Sequence, residues 1–592
     1  MTLRPGRPLW LLLGALIALT LAADCARVAR ADMAFLLYAA GAWLDGAKLY
    51  RDVVEINPPL VIWLNAPIVA LARALGVSEL RLYSFAVAGT MTALLVYGGR
   101  VARRFALRAH PELQAWLLLG TAIALFPLAR ADFGQREHIV LGLMLPYVLL
   151  VVARLKSVEV PRWDAGCIGV LAGTGFSLKP HFVLVWLGLE ALKYWRAPAA
   201  RRAPGPEAIA VGATIALYVA AVRLLTPAYV DVVGVLGPAY AQYLHAPFLE
   251  LLLLAPGAGL TLFAGLALVA LRRRMPDPVL GWALGVAMLG CFVAAAAQQK
   301  GLHYHFYPAS ALALMVLATL APPLVIPAAL PLTERIYAAV ARAVLAAVGL
   351  VAVGGTLLTV LGGGAAERRA RAELFELVGI ARSEAGGRPV VVLSYHMDSA
   401  FPLVNYAGVR LASRFPHLWI LPAMYWDSLA AGGAVRYRDL GDMPAAERWL
   451  NQGVREDLLA ADPRLMIVLR PARDAGMNGP RRMHYVRYFS RQPELATLFG
   501  RFHLLRRVGE FDVYVRGDAG APAARSLPSA APGELDVKGA DGGIQLAFDD
   551  PEFLAGTGIF VVVLGLTVLR AQRAARAAGG SEATRSYRRF GG

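Results

Sequence analysis

The sequence is poor in charged residues and in cysteine. Only 17% of its 592 residues are charged, against about a quarter in typical soluble domains, and its three cysteines form no CxxC spacing. Hydrophobic residues make up 58% of the chain, which excludes a disordered or collagen-like protein. A soluble chain of this length would have to bury that excess in several domains. The composition therefore favours a polytopic membrane protein.

Acidic residues are in the minority. The chain has 59 Lys and Arg against 41 Asp and Glu, which gives a formal net charge of +18. A basic chain can bind nucleic acid, but this sequence has no C₂H₂ zinc-finger spacing, no RNP aromatic motif and no basic helix. The excess instead fits arginine-rich cytoplasmic loops, so we expect no nucleic-acid partner.

Long apolar runs predict twelve transmembrane helices. The candidate spans are 8–24, 82–99, 113–129, 138–154, 164–178, 181–195, 206–225, 247–271, 278–297, 305–328, 336–361 and 553–570. A further run, 58–75, is ambiguous because polar residues and a proline interrupt it. If it does not span, arginine clusters such as 100–108 and 272–278 all face the cytoplasm, as the positive-inside rule requires. We therefore expect 58–75 to lie along the outer membrane surface, with both termini inside.

This topology predicts a polytopic α-helical membrane protein with an extracytoplasmic α/β domain on its C-terminal side. The expected parts are a transmembrane catalytic domain (1–361) with interfacial helices in its first outer loop (25–81), the α/β domain (362–552), a last transmembrane helix (553–570) and a basic cytoplasmic tail (571–592).

The polar stretch 362–552 is assigned to an α/β domain because strand-like runs alternate in it with charged helical segments. The runs are 389–394, 464–470 and 511–516. The stretch has no GxGxxG and no P-loop motif, so nothing in it indicates a dinucleotide or a nucleoside triphosphate.

Ionisable residues gather at the predicted outer edge of the spans. They are Asp32, Asp52, Glu55, Arg130, Asp132, Arg136, Glu137, His138, Lys179, His181, Lys300, His303 and His305. Charged groups close to a bilayer are costly and usually mark functional sites. Carboxylates can accept a proton from a nucleophile, and cations can hold a phosphate and stabilise it as a leaving group.

The first outer loop resembles the beginning of GT-C superfamily glycosyltransferases. The resemblance rests on Asp32 after the first helix, on the segment DMAFLLYAAG that Asp32 begins, and on the run INPPL (56–60). It is strongest to the protein O-mannosyltransferase and lipid A aminoarabinose transferase branch. There, a Pro-Pro-Leu segment opens a helix along the membrane, as expected here for 58–75, and a soluble domain follows the membrane helices.

The resemblance implies transfer of a sugar from a polyprenyl-phosphate-linked donor to an acceptor hydroxyl at the outer face of the membrane. Asp32 would be the general base, and a single base with a phosphate leaving group indicates inversion. Many members carry two adjacent acids at this position, whereas Met33 follows Asp32 here. Asp52 or Glu55 would then supply a second acid or contact the acceptor. The acceptor stays open between protein, lipid and glycan.

The cationic residues of the outer edge are assigned to the donor phosphate. They are Arg136, His138, Lys179, His181, Lys300, His303 and His305. Ordinary structural roles are the alternative: Asp32 as a helix cap, Arg136 paired with its neighbouring glutamate, Lys179 reaching the interface. The pair His303 and His305 lacks a third metal ligand nearby, so no metal is assigned and dependence on a divalent metal stays open.

A transporter or flippase for a lipid-linked or sugar substrate is the alternative function. Such proteins place polar residues at mid-bilayer and often contain internal repeats. In this sequence the charges gather at one edge of the spans and no tandem repeat occurs. The pattern favours a multi-pass enzyme of the bacterial cytoplasmic (inner) membrane with its active site facing outward.

Overall fold

A computed structural model describes residues 6–196, 203–320, 331–430, 435–471 and 483–517. The predicted last transmembrane helix (553–570) and the basic tail (571–592) lie outside the described residues, as does the part of 362–552 after residue 517.

The first part of the chain is almost entirely helical. Its α-helices are α1 (Arg7–Ala26), α2 (Ala31–Leu44), α3 (Leu60–Leu75), α4 (Glu79–Val101), α5 (Pro111–Leu125), α6 (Arg136–Leu155), α7 (Arg162–Leu178), α8 (Val183–Arg196), α9 (Pro206–Leu225), α10 (Ala228–Gln242), α11 (Phe248–Leu254), α12 (Ala258–Leu271), α13 (Pro278–Ala297), α14 (His303–Leu320) and α15 (Leu332–Val360).

The second part mixes helices and strands. Its elements are α16 (Ala365–Glu384), β1 (Val391–Leu393), α17 (Leu403–Ala407), α18 (Ile420–Met424), α19 (Trp426–Ala430), α20 (Ala445–Ala461), β2 (Leu465–Leu469), α21 (Tyr485–Phe489), α22 (Pro493–Phe499), β3 (Phe502–Val508) and β4 (Phe511–Arg516). Residues 365–517 are called the α/β unit below.

The helices confirm a polytopic membrane protein but not the number of spans. In the described ranges, six helices are long and apolar enough to cross a bilayer, namely α1, α4, α6, α9, α13 and α15. The pair α11 and α12, bent by 70°, makes a seventh candidate. The predicted spans 113–129, 164–178, 181–195 and 305–328 hold helices of 15, 17, 14 and 18 residues. A full span needs about 20 residues, so the prediction of twelve spans is not confirmed.

The run 58–75 forms a short helix, α3, of 16 residues. At 1.5 Å per residue it is about 24 Å long, which is less than the hydrocarbon core of a bilayer. The helix ends at Gly76, whose φ of 64° lies in the left-handed region that favours glycine. Its length agrees with the expectation that this run does not span, while its position along the membrane surface stays a prediction.

Helix α6 lies at the centre of the bundle. All but three of its residues are buried, and it packs against α4, α7 and α13. From Ile139 to Ala153 its sequence contains no charged residue, as expected of a helix surrounded on all sides. Residues at the start of α6 are therefore held by neighbours on every side.

The α/β unit is built on a four-stranded sheet of order β1-β2-β4-β3. β1 pairs with β2 in parallel, and β4 is antiparallel to both β2 and β3. β2 is buried along its whole length because it lies inside the sheet. The predicted runs 389–394, 464–470 and 511–516 correspond to β1, β2 and β4. β3 was not predicted, since its exposed arginines obscure the alternation of an edge strand.

The α/β unit packs directly on α2. The ring of Phe401, which is fully buried, lies 5.3 Å from the rings of both Phe35 and Tyr38, measured between centroids. The Leu411 backbone N–H donates a hydrogen bond to the Tyr38 hydroxyl at 3.1 Å. An apolar contact and a hydrogen bond thus fix the unit to the helix that begins with the predicted base.

We expect Phe401→Ala to loosen the α/β unit from α2. Loss of a buried phenylalanine side chain costs roughly 3–5 kcal/mol of stability. The measurement is thermal unfolding of the purified full-length protein, together with proteolysis of the α/β unit. Phe375→Ala is the matched control, because Phe375 is 44% exposed and should cost far less. Equal destabilisation by the two variants would contradict this account of the packing.

Candidate active site

A cavity of about 120 Å³ lies where α2, α6 and α10 meet the α/β unit. Five of the residues predicted for the site line it: Asp32, Glu55, Arg136, Lys179 and Lys300. They come from four separate segments of the bundle, and the fold brings them to one place. This space is called the central cavity below.

Asp32 lies in the first turn of α2 but does not cap that helix. Arg30 is the N-cap residue, and the helix start has no side-chain cap. Asp32 is half-buried, and its Oδ2 accepts a hydrogen bond of 3.2 Å from the Gln135 Nε2. Asp32 is therefore not a helix cap. Its carboxylate is oriented by Gln135, which directly precedes α6.

Arg136 begins α6, directly after a tight turn at Gly134. Gly134 has a φ of 83°, and a side chain there would meet the Met33 sulfur at 2.7 Å, so only glycine fits. The Tyr83 hydroxyl donates to the Gly134 carbonyl at 2.6 Å and fixes the turn. As a result the chain enters α6 with the first residues of the helix facing α2.

The guanidinium of Arg136 is buried without a hydrogen-bond partner in the described part of the chain. The residue is 7% exposed, and its Nε and Nη1 atoms have no acceptor there. Glu137, Glu55 and Asp32 attract it electrostatically, yet no carboxylate of the described residues lies within 4.0 Å of it. A buried cation without an acceptor is costly, and a cation at a helix N-terminus opposes the helix dipole. The geometry fits an anion bound in the central cavity.

Glu55 is also buried at the cavity, at 8% exposure. Its Oε1 accepts hydrogen bonds from the backbone and side-chain nitrogens of Asn57, at 2.8 and 2.6 Å. Burial raises the pKa of the Glu55 carboxyl above its ordinary value, while Arg136 and the Asn57 hydrogen bonds act to lower it. Glu55 is therefore a positioned acid facing the same space as Arg136.

Lys179 is neutralised within the protein. Its Nζ lies 2.8 Å from Oε1 of Glu137, a carboxylate with no solvent exposure, and 3.5 Å from the His305 Nε2. Lys179 thus contributes less net charge to the cavity than Arg136 does. His305 is placed behind this ion pair and does not line the cavity itself.

Lys300 closes the C-terminal end of α10. Its ammonium donates to the backbone carbonyls of Tyr240, Ala241 and Tyr243, all within 3.3 Å, and lies 4.6 Å from the centre of the Tyr240 ring. The three donors of a lysine ammonium match these three acceptors. Lys300 thereby holds both tyrosines at the cavity wall.

The other predicted residues lie away from the central cavity. Asp52 lines a separate polar cavity of about 180 Å³, and its Oδ2 accepts from the Lys48 backbone N–H at 2.8 Å. His138 is fully buried, with Nδ1 accepting from the Gly134 N–H and Nε2 facing the Leu125 carbonyl. His303 is paired with Asp132 at 3.0 Å. His181 is exposed at the turn before α8.

The α/β unit supplies a roof that the sequence did not reveal. Met397, Phe415, Pro416, His417, Trp419 and Ile420 line the cavity from that side. Trp419 packs against Tyr240 of α10 and against Tyr243, the residue after that helix, with ring centroids 5.6 and 5.4 Å apart. In the sequence all of these except Met397 lie in the apolar stretch FPHLWI (415–420), which carries no signal of a site beyond one histidine among aromatic residues.

His417 is the titratable group of this roof. Its Nδ1 lies 2.9 Å from the Tyr395 carbonyl, which can only accept, so Nδ1 carries the hydrogen. Burial lowers the pKa of the His417 ring below its ordinary value, because the imidazolium would be poorly solvated there. The neutral ring keeps Nε2 as a hydrogen-bond acceptor.

Metal-binding geometry is not found among the described residues. No group of three or more His, Cys, Asp or Glu side chains there is arranged to hold a metal ion. The pair His303 and His305 is split, since one faces Asp132 and the other faces Lys179.

Solved structures with a similar fold include ArnT from Cupriavidus metallidurans. Its crystal structure bound to undecaprenyl phosphate is 14% identical, has a TM-score of 0.50, and aligns over 86% of this chain and 98% of ArnT. Its apo structure is 15% identical, with a TM-score of 0.46 over 85% and 97%. No protein-family model and no curated protein sequence matches this chain. The likeness to the lipid A aminoarabinose transferase branch is therefore confirmed as a likeness of fold.

Proposed function

We propose that this protein transfers a sugar from a polyprenyl-phosphate-linked donor to an acceptor hydroxyl. The observation that carries the proposal is the buried, unpartnered guanidinium of Arg136 at a cavity that also holds Asp32. The Arg136 guanidinium is suited to bind the phosphate of a donor, and the Asp32 carboxylate is suited to accept the proton of an acceptor hydroxyl. The protein would then be a glycosyltransferase.

A lipid-linked donor agrees with the surroundings of the cavity. Leu36, Leu236, Leu244 and Leu302 line it next to the charged groups, so an isoprenoid chain leaving the phosphate would meet apolar side chains. The structure with a similar fold is described as bound to undecaprenyl phosphate. By analogy, we assign the phosphate of the carrier to Arg136, whose planar guanidinium suits two phosphate oxygens.

In the proposed reaction the acceptor oxygen attacks the anomeric carbon of the sugar. The new carbon–oxygen bond forms as the bond between that carbon and the phosphate oxygen breaks, and the carrier phosphate leaves with the electron pair. Asp32 takes the proton of the hydroxyl, while Arg136 stabilises the charge that develops on the phosphate. A single displacement of this kind inverts the configuration at the anomeric carbon.

The remaining cavity residues position these two groups. Gln135 orients the Asp32 carboxylate, and the pair of Lys179 with Glu137 supports the start of α6. Glu55 is the candidate for the second acid or for acceptor contact, since it lines the cavity and Asp52 does not. The neutral His417 offers Nε2 as an acceptor for a substrate hydroxyl.

We further propose that the cavity faces the outer side of the bacterial inner membrane. The arginine-rich loops then face the cytoplasm, in keeping with the positive-inside rule. The α/β unit, whose helix α16 exposes charged residues such as Glu367, Arg368 and Arg369, would lie outside the membrane as part of an extracytoplasmic domain.

The first test removes the proposed base. Asp32→Asn keeps the shape of the side chain but cannot accept the proton, so we expect transfer to fall about 10²- to 10⁴-fold. The measurement is release of polyprenyl phosphate from polyprenyl-phosphate-linked sugars, in membranes that contain the full-length protein and its acceptor. Asp45→Asn is the matched control, because Asp45 lies at the other end of α2 and is exposed. Unimpaired transfer by Asp32→Asn would reject the assignment.

The second test removes the phosphate-binding group. Arg136→Gln loses the positive charge, and we expect the affinity for undecaprenyl phosphate to fall at least about tenfold, because charge-assisted hydrogen bonds are lost. Since the wild-type guanidinium has no partner among the described residues, the purified variant should remain folded. Arg162→Gln, an exposed arginine at the start of α7, is the control. Wild-type affinity in the Arg136 variant would place the phosphate elsewhere.

A further inference from the structure

Two neighbouring cavities lie at the end of α4 that is remote from the central cavity. One, of about 740 Å³, is lined by Arg100, Arg103, Arg104 and Arg108. The other, of about 190 Å³, lies between α1, α4, α5, α6, α13 and α14 and is mainly apolar. Arg100 and Arg103 line both, so the arginine cavity and the apolar cavity adjoin each other at these two side chains. A molecule with a negative head and a hydrocarbon chain matches this arrangement.

The arginine cavity is formed around an unusual backbone turn. Residues Ala102–Ala106 continue α4 as a π-helix, in which the Leu107 N–H bonds to the Ala102 carbonyl at 2.7 Å. π-helical turns are rare and occur frequently at functional sites. This turn carries Arg103 and Arg104, and therefore sets how two of the four guanidinium groups are presented.

A second element fixes the end of this turn. The Lys156 Nζ donates to the Ala106 carbonyl at 2.7 Å, and the same ammonium is paired with the buried carboxylate of Asp277. The arginine-bearing turn is thus anchored to the loops after α6 and before α13, and its shape is preorganised.

Positive charge exceeds negative charge in the arginine cavity. Its four guanidinium groups face two carboxylates: Glu159 in the lining, and Asp164, which lies 3.7 Å from Arg104. None of the ion pairs formed by the described residues involves Arg100, Arg103 or Arg108. Arginine is the side chain best suited to hold a phosphate through two hydrogen bonds. The excess positive charge of the arginine cavity therefore favours a ligand with an anionic head group.

The neighbouring apolar cavity selects a hydrocarbon chain. Its lining includes Trp10, Leu94, Leu118, Leu149 and Met315, from five different helices. Burying an alkyl chain in this apolar cavity is favourable, whereas a free inorganic phosphate would leave the cavity empty. The joint shape of the two cavities thus favours a lipid over a small anion.

The position of these cavities separates them from the proposed donor site. α4 has 23 residues, which corresponds to about 35 Å at 1.5 Å per residue. Tyr83, near its start, contacts the turn before Arg136, whereas Arg100 is near its end. A helix of that length reaches from one bilayer surface to the other. The arginine cavity therefore lies at the opposite membrane surface from the central cavity.

We propose that these two cavities form a binding site for an anionic phospholipid of the bilayer, with its phosphate among Arg100, Arg103, Arg104 and Arg108 and one acyl chain in the apolar cavity. The site is independent of the donor site and holds a resident lipid of the opposite leaflet. Basic pockets between transmembrane helices are a known way to hold anionic head groups.

The test measures lipid retention by the full-length protein with native mass spectrometry. The probes are dioleoyl phosphatidylglycerol, dioleoyl phosphatidylcholine with the same chains, undecaprenyl phosphate and inorganic phosphate. The wild type should prefer phosphatidylglycerol, and Arg100→Gln/Arg103→Gln should lower its retention roughly tenfold or more. Arg272→Gln/Arg273→Gln is the matched control, because it removes the same charge from exposed arginines at the end of α12. The control should behave as the wild type.

A second variant tests the chain separately from the charge. Thr121 lines the apolar cavity, and Thr121→Phe fills it while leaving all four arginines in place. This variant should also lose phosphatidylglycerol, and it keeps the proposal testable if the double arginine variant does not fold. Thermal unfolding of each variant reports folding.

Four results would overturn the proposal. They are retention of phosphatidylglycerol by the folded variants, equal loss in the Arg272/Arg273 control, displacement of the lipid by inorganic phosphate, and stronger retention of a polyprenyl phosphate than of phosphatidylglycerol. The second would show nonspecific surface attraction, and the last would assign the site to the carrier.

Discussion

Burial of charge at the start of α6 is the constraint on which the site depends. Arg136 and Glu137 are adjacent, both are removed from solvent, and the helix dipole disfavours the arginine. Glu137 is compensated by Lys179 from the turn after α7. Arg136 is attracted by Glu137, Glu55 and Asp32 but pairs with none of them within 4.0 Å, and Glu137 is shared with Lys179, so an anion in the cavity would complete its surroundings.

The rest of the cavity is arranged around this pair by elements far apart in the chain. Lys300 fixes the end of α10, two tyrosines at that end pack on Trp419, and Trp419 belongs to the α/β unit. The Val54 N–H bonds to the Arg414 carbonyl at 2.8 Å and joins the first loop to the same roof. Lys300 thus shapes the site through its hydrogen bonds to backbone carbonyls, as well as through its charge.

Sequence reasoning singled out residues that share one cavity because charge is expensive next to apolar runs. That rule singled out Asp32, Glu55, Arg136, Lys179 and Lys300, and the fold places all five at the central cavity. It could not separate residues with local partners from those without. His138 and His303 are equally polar in the sequence, yet each is satisfied by a nearby carbonyl or carboxylate, which only the packing reveals.

The sequence did not predict the number of spans or the roof of the central cavity, and the reasons differ. Apolar runs show where helices are, but only six helices and one bent pair of the described residues are long and apolar enough to span, and hydropathy alone does not show where a helix ends. The roof depends on contacts between segments more than 350 residues apart, as in the hydrogen bond between Leu411 and Tyr38. Residues of FPHLWI read as ordinary apolar core until their position over Asp32 is known.

The attachment of the α/β unit to α2 couples the position of the unit to the position of Asp32. A separate soluble domain would leave the two positions independent. The Phe401 ring packs against Phe35 and Tyr38, which lie one and two helical turns after Asp32. The α/β unit and the proposed base are therefore mechanically connected. Anything that pulls on the α/β unit also displaces that carboxylate relative to α6. If Asp32 is the base of the proposed transfer, a molecule that binds the α/β unit would change the rate of that transfer without entering the central cavity.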